Sequence, residues 1–192
     1  MGALRAVVNE DLDRALIERI AAGDEGAFST FYDRHARRVL AFVRDLVPEA
    51  AIAEEVAGDV MVAVWRGARR FGGRSRVSTW VLGIAHNKAV DVRRRRRLPE
   101  FSLDEAGTIP GGDDPAEVAV RVADRAALEA ALALLSPEHR EVLQLTYGFD
   151  CTQAEIAAIA GIPVATVKTR VFYAKRRLRD ALDAQHVPEN IA

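Results

Sequence analysis

The chain is poor in the residues that would tie it together covalently or build it from strands. It has a single cysteine, Cys151, so no intrachain disulfide can form and a reducing compartment is the natural setting. No Asn-Gly or Asp-Gly pair marks a hairpin, and Val and Ile recur at helical rather than alternating spacing, which argues against a strand-built fold. The four histidines, His35, His86, His139 and His186, are scattered, and no Cys/His pair has zinc-ligand spacing; neither a metal nor a cofactor is expected. Long apolar runs are missing too. The opening MGALRAVVNEDLDR has no long apolar stretch, and nothing approaches the roughly 18 apolar residues of a membrane span. A cytoplasmic protein without membrane insertion is the expectation. With no Gly-rich phosphate loop, nucleophile motif or metal-ligand cluster, no catalytic residues are expected and the chain does not read as an enzyme.

What is present is enough apolar sequence for a core, 49% of the residues, and 29% charge, far from the composition of disorder. The net charge of −1 conceals a strong asymmetry. Residues 1–100 carry 18 basic against 14 acidic side chains, residues 101–127 carry 2 against 6, and residues 128–192 carry 7 against 8. Between Arg66 and Arg97 stand eleven basic residues and one acid, Asp91; between Lys168 and Arg179 stand six and none. Two concentrated positive stripes are a footprint for phosphates.

The segment 99–116, with three prolines, three glycines and five acids, reads as an exposed linker between two helix-rich halves. In the first half, Leu12, Leu16, Ile17 and Ile20 form the apolar face of a helix ending near Gly23. Asp24 is a plausible N-cap for a second, carrying Ala27, Phe28, Phe31, Val39, Phe42, Val43 and Leu46 at three- and four-residue steps up to Pro48. A third is expected from about Glu49 to Arg70 with Ile52, Val56, Val60 and Val64 inside. A fourth is capped by Ser78 or Thr79 and runs into the arginines at 93–97. Its core face is not fixed by spacing, and Trp80 reads more readily as core than as a platform for bases.

In the second half, Val118–Leu135 reads as one helix, and Ser136-Pro137-Glu138 opens the next with a cap, a proline at the first helical position and an acid in the first turn. Residues 152–179, TQAEIAAIAGIPVATVKTRVFYAKRRLR, have the layout of a helix-turn-helix. The Thr152 to Glu155 capping box starts it, Gly161-Ile162-Pro163 turns it, and Ile156, Ile159, Ile162 and Val167 form its shared core, with Ala157 small enough for close approach. That leaves Thr166, Lys168, Thr169, Arg170, Phe172 and Tyr173 for a DNA groove, where hydroxyls and cations contact phosphates and Lys or Arg reads guanine edges. The plain alternative is a helical hairpin with a solvated basic face.

Both halves resemble modules of the extracytoplasmic-function group of bacterial sigma-70-family sigma factors. AFSTFYDRHARRVLAFV, AEEVAGDVMVAVWRGARRF and STWVLGIAHNKAVDVRRRRR are similar to region 2; LSPEHREVLQLTYGFDCTQAEIAAIAGIPVATVKTRVFYAKRRLR is similar to region 4. The resemblance implies an all-α protein of two small helical domains, region 2-like over 10–98 and region 4-like over 117–185, joined by an acidic flexible linker over 99–116. It also implies an alternative sigma factor that binds core RNA polymerase, directs it to specific promoters and helps open them. Its partners would be the β′ clamp helices and β flap of the polymerase, promoter DNA and an anti-sigma factor.

Residue by residue, Glu54, Glu55, Asp59, Val60, Val64 and Trp65 would dock on the clamp, although Gly58-Asp59 and Met61 stand where the family often has Gln-Glu and Phe. Arg74, Arg76, Ser78, Thr79, Trp80, Asn87, Lys88, Arg93 and Arg94 would read and melt the minus-10 element, Asn87 at a base-recognising position. Thr166, Lys168, Thr169, Arg170, Phe172, Tyr173, Lys175 and Arg176 would read the minus-35 element. The acidic linker would be a spacer or would thread the RNA-exit region of the polymerase. The competing reading is a helix-turn-helix transcription regulator that is not a sigma subunit, which leaves the basic segment ending at Arg97 unexplained.

Overall fold

The computed structural model describes residues 2–96 and 126–185, so the linker and the first part of the helix expected from Val118, residues 118–125, lie outside the described residues. The described residues fold into helices and contain no strand. Four form the upstream module: α1 (Gly2–Ala21), α2 (Glu25–Leu46), α3 (Ala50–Gly67), extended by a short tighter turn at Ala68–Arg70, and α4 (Val77–Arg96). The downstream module holds α5 (126–133), α6 (Pro137–Leu143), a wide turn at Gln144–Gly148, α7 (Gln153–Ala160) and α8 (Val164–Gln185).

Local chemistry sets most of the helix ends. The Asp24 carboxylate accepts from the Ala27 backbone N–H at 2.9 Å, satisfying an orphan donor at the start of α2. Thr152 and Glu155 form the reciprocal capping box of α7, and Gly161 ends that helix at φ 65°, the left-handed conformation that glycine adopts without a Cβ penalty. The chain bends by 104° between α7 and α8, within the range of a helix-turn-helix.

The start of α4 departs from the sequence expectation. It begins at Val77, and neither Ser78 nor Thr79 caps it; the Val77 N–H donates instead to the Glu10 carboxylate of α1 at 2.9 Å. Arg14, one turn further along α1, donates to the carbonyls of Gly73 and Ser75, fixing the FGGRSR loop from outside. Ser136 occupies the N-cap position of α6 without a side-chain cap bond; Pro137 follows it. Arg140 of α6 donates to the carbonyls of Leu132, Ala133 and Leu135, closing the C-terminal end of α5 with a cation, as the helix dipole favours.

The upstream core holds Leu16, Ile17, Ile20, Phe31, Phe42, Val56, Val60 and Val64, and α4 contributes Val77, Val81, Leu82, Ala85 and Ala89. Leu12 is a correction: it is 44% exposed, and its neighbour Asp13 is the buried one, at 5%. The Asp13 carboxylate accepts a hydrogen bond from Arg34 across the bundle at 3.0 Å, and His35 Nε2 lies 3.0 Å from its other oxygen; these neighbours, 21 and 22 residues away, are revealed by no helical pattern. Downstream, Leu143, Leu145, Ile156, Ile159, Val167 and Ala174 are buried, whereas Ile162 and Ala157 are half-buried. The two sets belong to one continuous apolar cluster, because α7 lies against α4 and α6 against α2.

Candidate nucleic-acid interface

The cationic face of α8 is open. Lys168, Thr169, Phe172, Tyr173, Lys175 and Arg176 are exposed; Thr166 and Arg170 are half-buried. Core positions Val167, Val171, Ala174 and Leu178 recur every three or four residues on the opposite side and hold the helix against its neighbours, so the face at 168–176 is left for an external ligand. Phe172, 63% exposed, meets Tyr173 edge to face, and the Lys175 ammonium lies 5.3 Å from the Tyr147 ring centroid. Such a surface offers cations for phosphates and aromatic edges for bases or sugars. His139 lies beneath it; burial and the charges of Arg177 and Arg170 lower its pKa, favouring the neutral imidazole.

The segment around α4 is dressed differently. Arg74 and Asn87 are exposed, and Ser78, Trp80, Lys88 and Arg93 are half-buried. Trp80 packs on the Phe71 ring with centroids 4.9 Å apart, and a Cβ at Gly67 would stand 3.2 Å from its indole; this ring is largely structural. Lys88 pairs with Asp59 of α3 at 3.2 Å, Arg94 and Arg95 with Asp91, and Arg96 with Glu55. Thr79 does not face outward at all: it is 4% exposed, and its hydroxyl donates to Glu155 of the downstream module at 2.8 Å.

The contact set on α3 also divides. Glu54, Glu55 and Asp59 are exposed, and Glu54 meets Arg44 at 3.0 Å. Val60 and Val64 are 0% exposed inside the bundle, so the surface reading of these two is corrected: their apolar side chains hold α3 against the core. Trp65 is half-buried with its ring edge-on to Phe28.

Sequence reasoning missed the residues that join the modules. Arg76 donates to both Glu155 carboxylate oxygens, from Nη2 at 2.8 Å, and to the Asp150 carbonyl at 3.3 Å. Asp150 is the one non-glycine at positive φ among the described residues, 51°. His86 Nδ1 meets the Glu141 carboxylate where both side chains are largely buried. Phe149 stands edge-on to Phe42 at 5.6 Å with the Arg38 guanidinium 5.1 Å from its ring. Burial alone would raise the Glu155 carboxyl, but hydrogen bonds from Arg76, from the Thr152 backbone and from the Thr79 and Thr152 hydroxyls reverse that and hold it at about 2. Burial pushes the Cys151 thiol, beneath this boundary, up to about 11, so it stays protonated at neutral pH. Among the described residues, no group of three or more His, Cys, Asp or Glu side chains is placed to hold a metal ion, and no single helix is long and apolar enough to cross a membrane.

Family models described as Sigma-70 region 2 and Sigma-70 region 4 match residues 31–98 and 125–178. The ECF RNA polymerase sigma factor SigK of Mycobacterium tuberculosis is 30% identical over 92% of this chain and 96% of its own length. SigL of the same species is 34% identical over 86% of this chain and 94% of its own. Among solved structures, CnrH in complex with the cytosolic domain of CnrY is 28% identical, covers 90% of this chain and 98% of its own, and superposes with a TM-score of 0.64. The sigma factor RpoE of Bartonella quintana, co-crystallised with the anti-sigma factor NepR, is 22% identical over 81% of this chain and 96% of its own; its TM-score of 0.65 speaks for the fold.

Proposed function

Because the chain belongs to the extracytoplasmic-function sigma factors, alternative subunits that bring core RNA polymerase to specific promoters and help to open them, we propose a division of labour between its two cationic surfaces. The downstream module, residues 117–185, reads the minus-35 element as duplex. Lys168 and Arg170 contact base edges or phosphates from the major groove, with Thr166, Thr169, Phe172, Tyr173, Lys175 and Arg176 bracing the register. The observation that carries this reading is the open cationic face of α8 on a capped, sharply turned helix pair.

The upstream module, residues 10–98, takes the minus-10 element as melted strand. Asn87 is exposed on α4 and can hydrogen-bond an unstacked base, while Arg74, Arg76, Lys88, Arg93 and Arg94 supply charge along the strand. Ser78 lies half-buried beside them, and Thr79 is turned inward with its hydroxyl on Glu155. Glu54, Glu55 and Asp59 form the acidic contact with the β′ clamp helices, with Trp65 at its margin and Val60 and Val64 supporting it from behind. The β flap is the partner of the downstream module, residues 99–116 span the distance between the two, and the protein works in the cytoplasm. An anti-sigma factor is a further partner, as NepR is for the solved RpoE of Bartonella quintana.

Run-off transcription from a promoter library tests the whole reading. Core polymerase plus the purified chain is expected to initiate at sites that core polymerase alone does not use; no new start sites would overturn it. A regulator that is not a sigma subunit would instead change the level of existing starts.

A further inference from the structure

The loop between α3 and α4, residues 71–76, carries Arg74 of the strand surface, yet its own sequence gives it little stiffness. It contains two adjacent glycines, Gly72 and Gly73, and Gly73 sits at φ 65°. Its backbone closes no turn of its own. The Phe71 N–H ends the preceding turn on the Ala68 carbonyl, and the next backbone bond, from Trp80 to Arg76, already belongs to α4. Left to itself, such a segment would sample many conformations.

Helix α1 supplies what the loop lacks. Arg14 donates from Nη1 to the Gly73 carbonyl at 3.3 Å and from Nη2 to the Ser75 carbonyl at 3.0 Å, so one planar guanidinium spans two peptide groups. Its Nε lies 3.1 Å from Glu10 Oε1, and the same oxygen accepts the Val77 N–H at 2.9 Å. An acid and a base one turn apart on α1 thus hold the loop at Gly73, Ser75 and Val77. A Cβ at Gly73 would stand 3.1 Å from Arg14 Nη1, so the glycine also permits the close approach. All three guanidinium nitrogens of Arg14 are engaged within the protein, which suits a brace rather than a ligand contact. A trans peptide sets its N–H opposite its C=O. Drawing the Gly73 and Ser75 carbonyls toward α1 therefore turns the Arg74 and Arg76 N–H groups away from it, and the Arg74 side chain between the two held carbonyls is exposed. At the start of the loop, the Phe71 ring rests on Trp80 of α4.

We propose that Glu10 and Arg14 are positioning residues for strand capture: from α1 they fix the 71–76 loop in the form that presents Arg74 to the melted minus-10 strand, and so set the rate of promoter opening without touching DNA themselves. The effect on opening rests on the proposed assignment of this module to the melted strand; the bracing of the loop does not. Ordering the loop in advance removes its conformational entropy from the cost of capture. Lysine cannot substitute, because a single ammonium lacks the fork that serves two carbonyls and a carboxylate together.

The test begins on the free full-length chain. Amide NMR relaxation should give Gly73 and Arg74 order parameters of about 0.8 in the parent and below about 0.6 in Arg14→Ala and Arg14→Lys, with Ala85 and Ala89 of α4 unchanged. Glu10→Gln, whose amide oxygen still accepts from Val77 but offers Arg14 no charge, should fall between. With core polymerase on a duplex promoter, both Arg14 variants should slow opening, read by permanganate reactivity, about tenfold, because the fraction of loop in the competent form falls; closed-complex affinity should stay within about twofold. An ordered loop in both Arg14 variants would overturn the brace, and so would recovery of the parent opening rate by Arg14→Lys. A loosened loop with parent-like opening would overturn the link to strand capture. Equal loss of closed-complex affinity and of opening would mark a general folding defect and overturn the positioning role. If the parent chain opens no promoter, the sigma reading fails, and the relaxation measurements still decide the brace.

Discussion

The arginine-rich α4 and the cationic face of α8 carry similar charge but hold it in different ways. On α4 several cations are engaged by acids of the same protein: Lys88 by Asp59, Arg94 by Asp91, Arg96 by Glu55 and Arg76 by Glu155. On α8 the side chains at 168–176 stand over a helix whose opposite side is packed, and aromatic rings are interleaved with them. Most of the α4 pairs are exposed and each contributes little to stability. The Arg76–Glu155 pair differs, being partly buried, bidentate and shared with a hydroxyl.

The largest effect that would break this contrast is loss of the core both modules share. Phe42 is 0% exposed and touches Phe149, so Phe42→Ala should cost about 3–5 kcal/mol in urea unfolding and should reduce the cooperativity between modules. A loss below about 1 kcal/mol would mean that the modules pack independently of it.

The next effect concerns pH. Burial pushes the Asp45 carboxyl up to about 6, against the charge of Arg140 and a hydrogen bond from Gln144 that lower it. The folded state thus holds this proton more tightly than the unfolded chain does. The stabilisation is fully present below the ordinary value of 3.8 and is lost as pH rises through about 6. Glu155 runs the other way: its stabilisation is present above 4.5 and is lost as pH falls toward about 2. The module boundary should therefore tighten from pH 7 to pH 5 and loosen below pH 4, measured by amide exchange over 77–89. Asp45→Asn should remove the first change and stabilise the fold at pH 7 by on the order of 1–3 kcal/mol.

Smaller again is Gly161→Ala, which forces a Cβ into φ 65° and should cost about 1 kcal/mol and disturb the aim of α8. The smallest effects separate the two surfaces directly. Lys168→Ala should weaken upstream-duplex binding and lower its salt slope by about one, with promoter opening per bound complex unchanged. Asn87→Ala should slow opening, read by permanganate reactivity, with closed-complex affinity within about twofold. Equal effects of the two on closed-complex affinity would erase the division between α4 and α8.

Features written within a few residues were legible before any fold was known. The Asp24 cap, the Thr152–Glu155 box, the Gly161 turn and the buried spacing of α2 all stand as expected, since each depends on neighbours one turn away. The α4 start was misread for the opposite reason. Thr79 has the chemistry of a cap, but a carboxylate 67 residues earlier serves the Val77 N–H, and one 76 residues later takes the Thr79 hydroxyl. Val60 and Val64 carried two readings on sequence grounds, core or contact, and only the packing of α2 and α4 around α3 decides for core.

The two positive stripes, the helices that bear them and the family they point to follow from the sequence alone, because helix periodicity, caps and charge density are local quantities. Whether a given cation in those stripes is offered or withheld was decided by tertiary structure. That choice depends on which distant carboxylate or ring the folded chain brings alongside, as Glu155 comes to Arg76 across 79 residues, and no local pattern encodes such a meeting.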